Sequence, residues 1–262
     1  MTTYRLAVVG GGNMGAALVG GLLKAGWAPG TIAVVEVVPA RAEEVRLQFP
    51  AVTVAATVPP CEAALIAVKP YDVAGATADA VEAGASRVLS IAAGVTIAAL
   101  QSAAGDAVVV RAMPNTPALV GQGAAAICGG PTATDDDLTW AEDILGSVGT
   151  VVRVPESHLD AVTGLAGSGP AYLFLIAEAL IDAGVLAGLT RATSEALVTQ
   201  LLIGSAALLG ERGDPAQLRA MVTSPGGTTA AGVRVLEEHA VRSALLEAVM
   251  AATRRSAELG QN

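Results

Sequence analysis

The chain has 262 residues, 53% of them apolar but only 3% aromatic, with 30 glycines. That length suits one large or two modest domains, with cores built from Ala, Val and Leu and glycines allowing close backbone approach. A formal net charge of −9, with 15 basic residues in no long run, leaves no phosphate-backbone footprint and speaks against nucleic acid as a partner. Cys61 and Cys128 share no metal spacing, and His158 and His239 lie far apart. No metal site is expected, and a reduced cytoplasm is the expected compartment. Two uncharged runs raise the question of a membrane. Leu6 to Leu23 carries Gly10, Gly11, Gly12, Gly15, Gly20 and Gly21 without a cationic cluster, and Ala112 to Thr134 is interrupted by Pro114, Pro117 and Pro131. Neither reads as a span.

Taken in order, Tyr4 to Val9 reads as a buried parallel strand, Gly10-Gly11-Gly12-Asn13-Met14-Gly15 follows it, and Ala16 to Lys24 has helical spacing that stops at Gly26. G-x-G-x-x-G is weak alone, but here it sits between strand and helix. Gly10 would make the tight turn, Gly12 would let a pyrophosphate approach the backbone, and Gly15 would let helix and strand pack closely. Thr31 to Val35 is a second strand ending in Glu36, about 20 residues past Gly15, where an acid accepts hydrogen bonds from an adenosine ribose. The plain alternative is a solvated strand end.

Alternation continues through a helix at Ala42 to Phe49 and strands at Val52 to Val54, Ala63 to Val68, Arg87 to Ile91 and Ala107 to Arg111, with Gly94-Val95-Thr96 opening a helix. The expected fold is α/β, a Rossmann-type doubly wound parallel sheet. Ligands of such sheets sit at the carboxyl ends of the strands, which brings Val68-Lys69-Pro70, Ala92-Ala93-Gly94 and Met113-Pro114-Asn115-Thr116-Pro117 to one crevice. Singly, Lys69 reads equally well as a surface charge and the Pro-x-x-Pro as a rigid turn. Ala124 to Cys128 and Gly149 to Val154 are two closing strands around a helix at Asp135 to Leu145. A dinucleotide-binding domain is expected over 1–154.

Beyond Val154 the strands stop. Asp160 to Thr163, Pro170 to Ala183, Arg191 to Leu209, Pro215 to Val222, Thr229 to His239 and Val241 to Leu259 are helical in period, so an all-helical dimerisation and substrate domain is expected over 155–262. Gly167-Ser168-Gly169-Pro170-Ala171-Tyr172 opens it. Leu173-Phe174-Leu175-Ile176 and Leu197 to Ile203 leave little polar face, and a small domain cannot bury such helices alone, which predicts a dimer. Late in the chain, Ser224-Pro225-Gly226-Gly227-Thr228-Thr229 halts one helix and starts another. Free N–H groups and short hydroxyls there make a small anion site, or, more plainly, a capped helix turn.

Together, Gly10 to Gly15, Ala67-Val68-Lys69-Pro70, Ser90 to Thr96, Arg111 to Pro117, Gly167 to Tyr172 and Ser224 to Thr229 resemble pyrroline-5-carboxylate reductase, in that family's order along essentially the whole chain. The resemblance implies reduction of 1-pyrroline-5-carboxylate to L-proline with NADH or NADPH, the last step of proline biosynthesis. It also implies an obligate homodimer with interlocked helical domains, often built into a decamer of five dimers. By the same resemblance, Gly10, Gly12, Asn13, Met14, Gly15, Glu36, Val68, Lys69, Pro70, Ala92, Ala93 and Asn115 bind the cofactor. Ser224, Gly226, Gly227, Thr228 and Thr229 bind the substrate, and Thr229 is the catalytic position, hydrogen-bonding the ring nitrogen. Glu156 matches a position near the substrate in some relatives but reads equally as a solvated acid before a helix. The chain departs from NADPH-preferring members at Glu36-Val37-Val38-Pro39, where a carboxylate would repel a 2′-phosphate although Arg41 follows; the expectation leans to NADH. It also has Ala220 where the family usually has Asp.

Two other classes share parts of this pattern. A β-hydroxyacid or imine reductase would keep the Gly10 turn, but the hydroxyacid enzymes rely on a Lys in the first long helix after the linker, and Tyr172 to Ala187 contains none. A cofactor-binding interaction protein need not keep Ser224 to Thr229.

Overall fold

The structure, a computed structural model, describes residues 3–260. The first half alternates strand and helix: β1 (Leu6–Val9), α1 (Asn13–Lys24), β2 (Ile32–Val35), α2 (Pro39–Gln48), β3 (Thr53–Ala55), β4 (Ala63–Ile66), α3 (Val73–Glu82), β5 (Arg87–Ser90), α4 (Ile97–Ala104) and β6 (Val108–Met113). β7 (Gly123–Gly129), α5 (Asp135–Gly146), β8 (Gly149–Arg153) and α6 (Leu159–Val162) follow. The strands form one sheet in the order β3-β2-β1-β4-β5-β6-β7-β8.

β1, β2 and β4 are buried at every residue, because a parallel sheet with helices on both faces leaves no strand position wet. Period-two alternation sorts their side chains. Leu6 and Val8 face a cluster with Leu18 and Leu22 of α1 and Ile144 and Leu145 of α5, whereas Ala7 and Val9 face one with Val73 and Ala80 of α3 and Leu100 of α4. The doubly wound sheet is present, but it is not parallel throughout. β7 pairs antiparallel with β6 while β8 pairs parallel with β7. The physical reason is loop length: a parallel return needs a crossover of a dozen or more residues. Only 114–122 join β6 to β7, and a 3₁₀ turn at Thr116–Val120 fills them.

The described chain packs into two compact units: one runs to Ser168 and resumes at Met250, the other is Gly169–Val249. The packing boundary thus falls later than Val154. Leu159 of α6 joins a cluster with Ile97, Ala126 and Cys128, which holds the segment after β8 on the sheet. The end of α11 (Val241–Leu259) returns to the same unit. Its buried Ser256 donates a 2.7 Å hydrogen bond to Asp160, and Leu259 lies against Gly94.

The second unit is helical: α7 (Gly169–Leu186), α8 (Arg191–Arg212), α9 (Pro215–Met221), α10 (Thr228–Glu238) and the first part of α11. α7 and α8 approach closely where Ser194 reaches past Gly184 to donate to the Ile181 carbonyl at 2.8 Å. Yet α7 buries none of its residues and α8 only Ser194 and Val198. Leu173, Phe174, Leu175, Leu197, Leu201 and Ile203 are all more than half exposed. By length and composition alone, the helical stretches Glu156–Leu186 and Arg191–Arg212 would suffice to cross a membrane, whereas the two runs weighed in the sequence are strand, turn and helix, or strand and turn.

Candidate active site

The site begins where β1 ends. Gly10 donates to the Val35 carbonyl at 2.9 Å and Ala67 donates to the Val9 carbonyl at 2.8 Å, so the glycine turn is fastened between the ends of β2 and β4. Gly10 has φ +108°, and a Cβ there would lie 2.6 Å from the Ala67 oxygen; at Gly15 a Cβ would lie 2.1 Å from the Gly10 oxygen. Both positions exclude any larger residue. A Cβ on Gly12 would meet nothing within 4 Å, which leaves its outer face open. Gly12 caps α1 without a side-chain bond, and the first helical bond runs from Ala16 to the Gly12 carbonyl at 2.9 Å. The amides of Asn13, Met14 and Gly15 are thus left outside the helix ladder, the arrangement that receives a phosphate.

Gly10, Gly12, Asn13, Met14, Glu36, Val68, Lys69, Pro70, Ala92 and Ala93 line one cleft of about 700 Å³ at the carboxyl ends of β1, β2, β4 and β5. It continues into a second hollow of about 640 Å³ through shared Val9, Val35, Val37, Val68 and Asp72. This is ample for a dinucleotide laid along the sheet edge. Glu36 is bound at both oxygens, accepting from Gly11 N–H at 3.0 Å and Val38 N–H at 2.9 Å. Arg41 is already engaged: its Nε donates to the Gly11 carbonyl and its NH1 to Glu44, each at 2.6 Å. The acid is therefore fixed at the cleft, and the nearest arginine is committed to the loop and to another carboxylate.

Two residues singled out in the sequence are held by other parts of the chain. Asn115 does not line the cleft; its Nδ2 donates to the Ala166 carbonyl at 3.0 Å and its Oδ1 accepts from Ala124 N–H at 2.8 Å. Glu156 is half-buried and bound within the chain. Its Oε1 accepts from Ile97 N–H at 2.6 Å, capping α4, and from NH1 of the buried Arg111 at 2.9 Å. Sequence reasoning missed this ion pair, whose only signal was an arginine in an otherwise apolar strand. Beside it, burial pushes the Cys128 thiol up to about 11, with Glu156 adding to the rise and Arg111 opposing it. Burial likewise pushes Cys61 up to about 11, which disfavours the thiolate at both positions.

The loop from Ser224 to Thr229 lies in the second unit. α9 ends at Met221, Thr223 N–H closes on the Ala220 carbonyl at 3.1 Å, and Gly227 N–H closes on the Ser224 carbonyl at 3.0 Å around Gly226, which has φ +68°. α10 then starts with Gly227 as its cap and no side-chain cap bond; its first helical bond is Ala231 to the Gly227 carbonyl at 3.2 Å. The amides of Thr228, Thr229 and Ala230 are left outside the ladder, with an exposed Thr228 and a half-buried Thr229 beside them. Such a helix start carries roughly half a positive charge and suits a carboxylate.

A family model described as pyrroline-5-carboxylate reductase dimerisation matches residues 156–259, and one described as NADP oxidoreductase, coenzyme F420-dependent, matches 5–94. The chain is 46% identical to a pyrroline-5-carboxylate reductase of Synechocystis sp., covering 99% of both. Among solved structures it resembles a pyrroline-5-carboxylate reductase from Coxiella burnetii, with TM-score 0.91 and 34% identity over 100% of both chains. It also resembles a Plasmodium falciparum pyrroline carboxylate reductase with NADP bound, with TM-score 0.84 and 29% identity over 99% of both. With a dinucleotide cleft in its sheet unit, an uncapped helix start in its helical unit and relatives matched end to end, the chain belongs to the pyrroline-5-carboxylate reductase family.

Proposed function

We propose that this member of the family reduces 1-pyrroline-5-carboxylate to L-proline, the last step of proline biosynthesis. When bound, the reduced nicotinamide of NAD(P)H supplies a hydride to the carbon of the C=N bond, and a proton goes to the nitrogen. The chain's own task is to hold and orient. Gly10, Gly12, Asn13, Met14 and Gly15 receive the pyrophosphate; Val68, Lys69, Pro70, Ala92 and Ala93 take the nicotinamide half; Ser224, Gly226, Gly227 and Thr228 take the substrate carboxylate. Alignment is the larger contribution, because well-oriented groups gain about 7–11 kcal/mol over free encounter. Thr229 accepts or donates a hydrogen bond at the ring nitrogen, positioning it and relaying a proton; a threonine hydroxyl is too weak an acid to act alone. The uncapped start of α10, with its hydroxyls, is the observation that carries this reading, since a dinucleotide cleft alone does not choose a substrate.

The cofactor preference is NADH. Glu36, fixed at the cleft by two backbone amides, opposes a 2′-phosphate, and Arg41 is held by Gly11 and Glu44. Roles divide at Val154: 1–154 binds the dinucleotide, and 155–262, nearly the span of the dimerisation model, pairs two copies and carries the substrate loop. The bare faces of α7 and α8 support a homodimer, with a decamer of five dimers as the larger assembly. Two free, buried cysteines suit the cytoplasm.

The test is loss of reduced-cofactor absorbance with pyrroline-5-carboxylate, run with NADH and NADPH in parallel beside Thr229→Ala. The variant is expected to lose roughly 10²-fold in kcat/KM with cofactor affinity intact. A folded parent that binds nucleotide but turns over with neither cofactor would sink the reading.

A further inference from the structure

Arg111, Met113 and Asn115 alternate along the end of β6, and Asn115 keeps an extended backbone with φ −132° and ψ 167°. Alternate residues of an extended chain share a face. All three grip one later segment. Arg111 pairs with Glu156 at 2.9 Å; the Met113 methyl lies so close to Gly167 that a Cβ there would sit 2.7 Å away; Asn115 donates to the Ala166 carbonyl at 3.0 Å. The gripped segment ends in a π-turn at Thr163–Gly167, closed by Ser168 N–H on the Thr163 carbonyl at 2.8 Å. Such turns are rare, widen the helix and recur at functional sites. Here the turn is the last segment of the first unit before the chain continues at Gly169.

We propose that Asn115 is a positioning residue for the substrate half of the reaction and not a cofactor ligand. One amide hydrogen donates to Ala166, the amide oxygen accepts from Ala124, and Asn115 is not among the residues that line the cleft. By holding the π-turn against the end of β6, it fixes the last segment of the first unit, through which the chain continues to Gly169. This rests on the reductase reading above.

Asn115→Asp isolates the contact, because a carboxylate still accepts from Ala124 N–H but offers nothing to the Ala166 carbonyl. Four quantities are read: NADH Kd from nucleotide fluorescence, kcat and KM for pyrroline-5-carboxylate at saturating NADH, and the thermal midpoint. The expected result is a fall in kcat/KM for the imine of about tenfold or more, toward the roughly 100-fold that a 1 Å misplacement brings, with NADH Kd within about twofold of the parent. A raised NADH Kd with unchanged imine kinetics would return Asn115 to the cofactor site. Unchanged values throughout would remove it from function, and a loss that disappears on cooling below a lowered midpoint would make it merely structural. Should the Asp variant fail to fold, Asn115→Ser, which withdraws the reach to Ala166 without adding charge, is judged by the same criteria. A parent without turnover sinks the reductase reading and this proposal together; a parent that turns over while the variant misses the expected pattern sinks this proposal alone.

Discussion

The two units solve the problem of apolar surface in opposite ways. In the first, β1, β2 and β4 bury every residue between helices of the same unit. In the second, α7 runs from Gly169 to Leu186 without burying one, and Phe174 is 65% exposed. Fully burying a side chain of that size contributes about 1.5–3 kcal/mol, so the first unit stabilises itself by burial while the second leaves that contribution unrealised within the chain. Buried and exposed apolar surface are thus divided between the two units.

The largest effect should come from Phe174→Glu. In a symmetric interface both copies lose the contact, so association should weaken by about 10²-fold or more. Sedimentation velocity across a concentration series would show a shift to monomer, with the far-UV spectrum of the sheet unit retained. An unchanged mass would mean that this face of α7 is not the assembly surface. Next comes Gly15→Ala. Alanine gains about 1 kcal/mol of helix propensity, but its Cβ would lie 2.1 Å from the Gly10 oxygen, and overpacking costs about 1–3 kcal/mol. The clash wins, so the thermal midpoint and nucleotide affinity should fall while the oligomer mass stays the same.

The smallest effect belongs to Asp137, the third residue of α5, which closes a capping box with Thr134 and pairs with Arg87 at 2.9 Å. Burial pushes its carboxyl up, but bonds from the Thr134 hydroxyl and amide, together with Arg87, outweigh that and hold it below the usual carboxylate range. A depressed folded value means stabilisation that is present above the unfolded value near pH 4 and lost as pH falls through the folded one. Asp137→Asn should therefore lower stability by about 1 kcal/mol at neutral pH, with the gap closing on acidification. Denaturant midpoints at several pH values would test it, and a constant gap would contradict it.

What the sequence discloses follows how local the physics is. The strand, glycine turn and helix from Leu6 to Lys24 are legible because each glycine answers a constraint set within a few residues or by the adjacent strand. α3 drew no expectation. Its buried positions are Val73, Thr77 and Ala80, properly spaced but too small to stand out from an alanine-rich background. The reversed direction of β7 leaves no mark in Gly-Ala-Ala-Ala-Ile-Cys-Gly; only the short link before it carries the signal. Asn115 and Glu156 were found as residue types, but their partners Ala166 and Ile97 lie 51 and 59 positions away, beyond anything a local pattern encodes. The start of α10 was legible from Pro, Gly and Thr, since a helix start is again a local event, but those residues read more plainly as a capped turn, and the structure shows no side-chain cap there.

The return of α11 to the sheet unit has a consequence for biogenesis. A ribosome adds roughly 5–20 residues per second, so the sheet and its glycine turn emerge several seconds before Ser256 and Leu259 exist. Throughout that interval Asp160 lacks its hydroxyl partner and Gly94, next to Ala93 of the cleft, has no neighbour from the last helix. The nascent sheet unit therefore waits, with residues 169–249 inserted in its sequence, and its last contacts form only once the helical unit has been made.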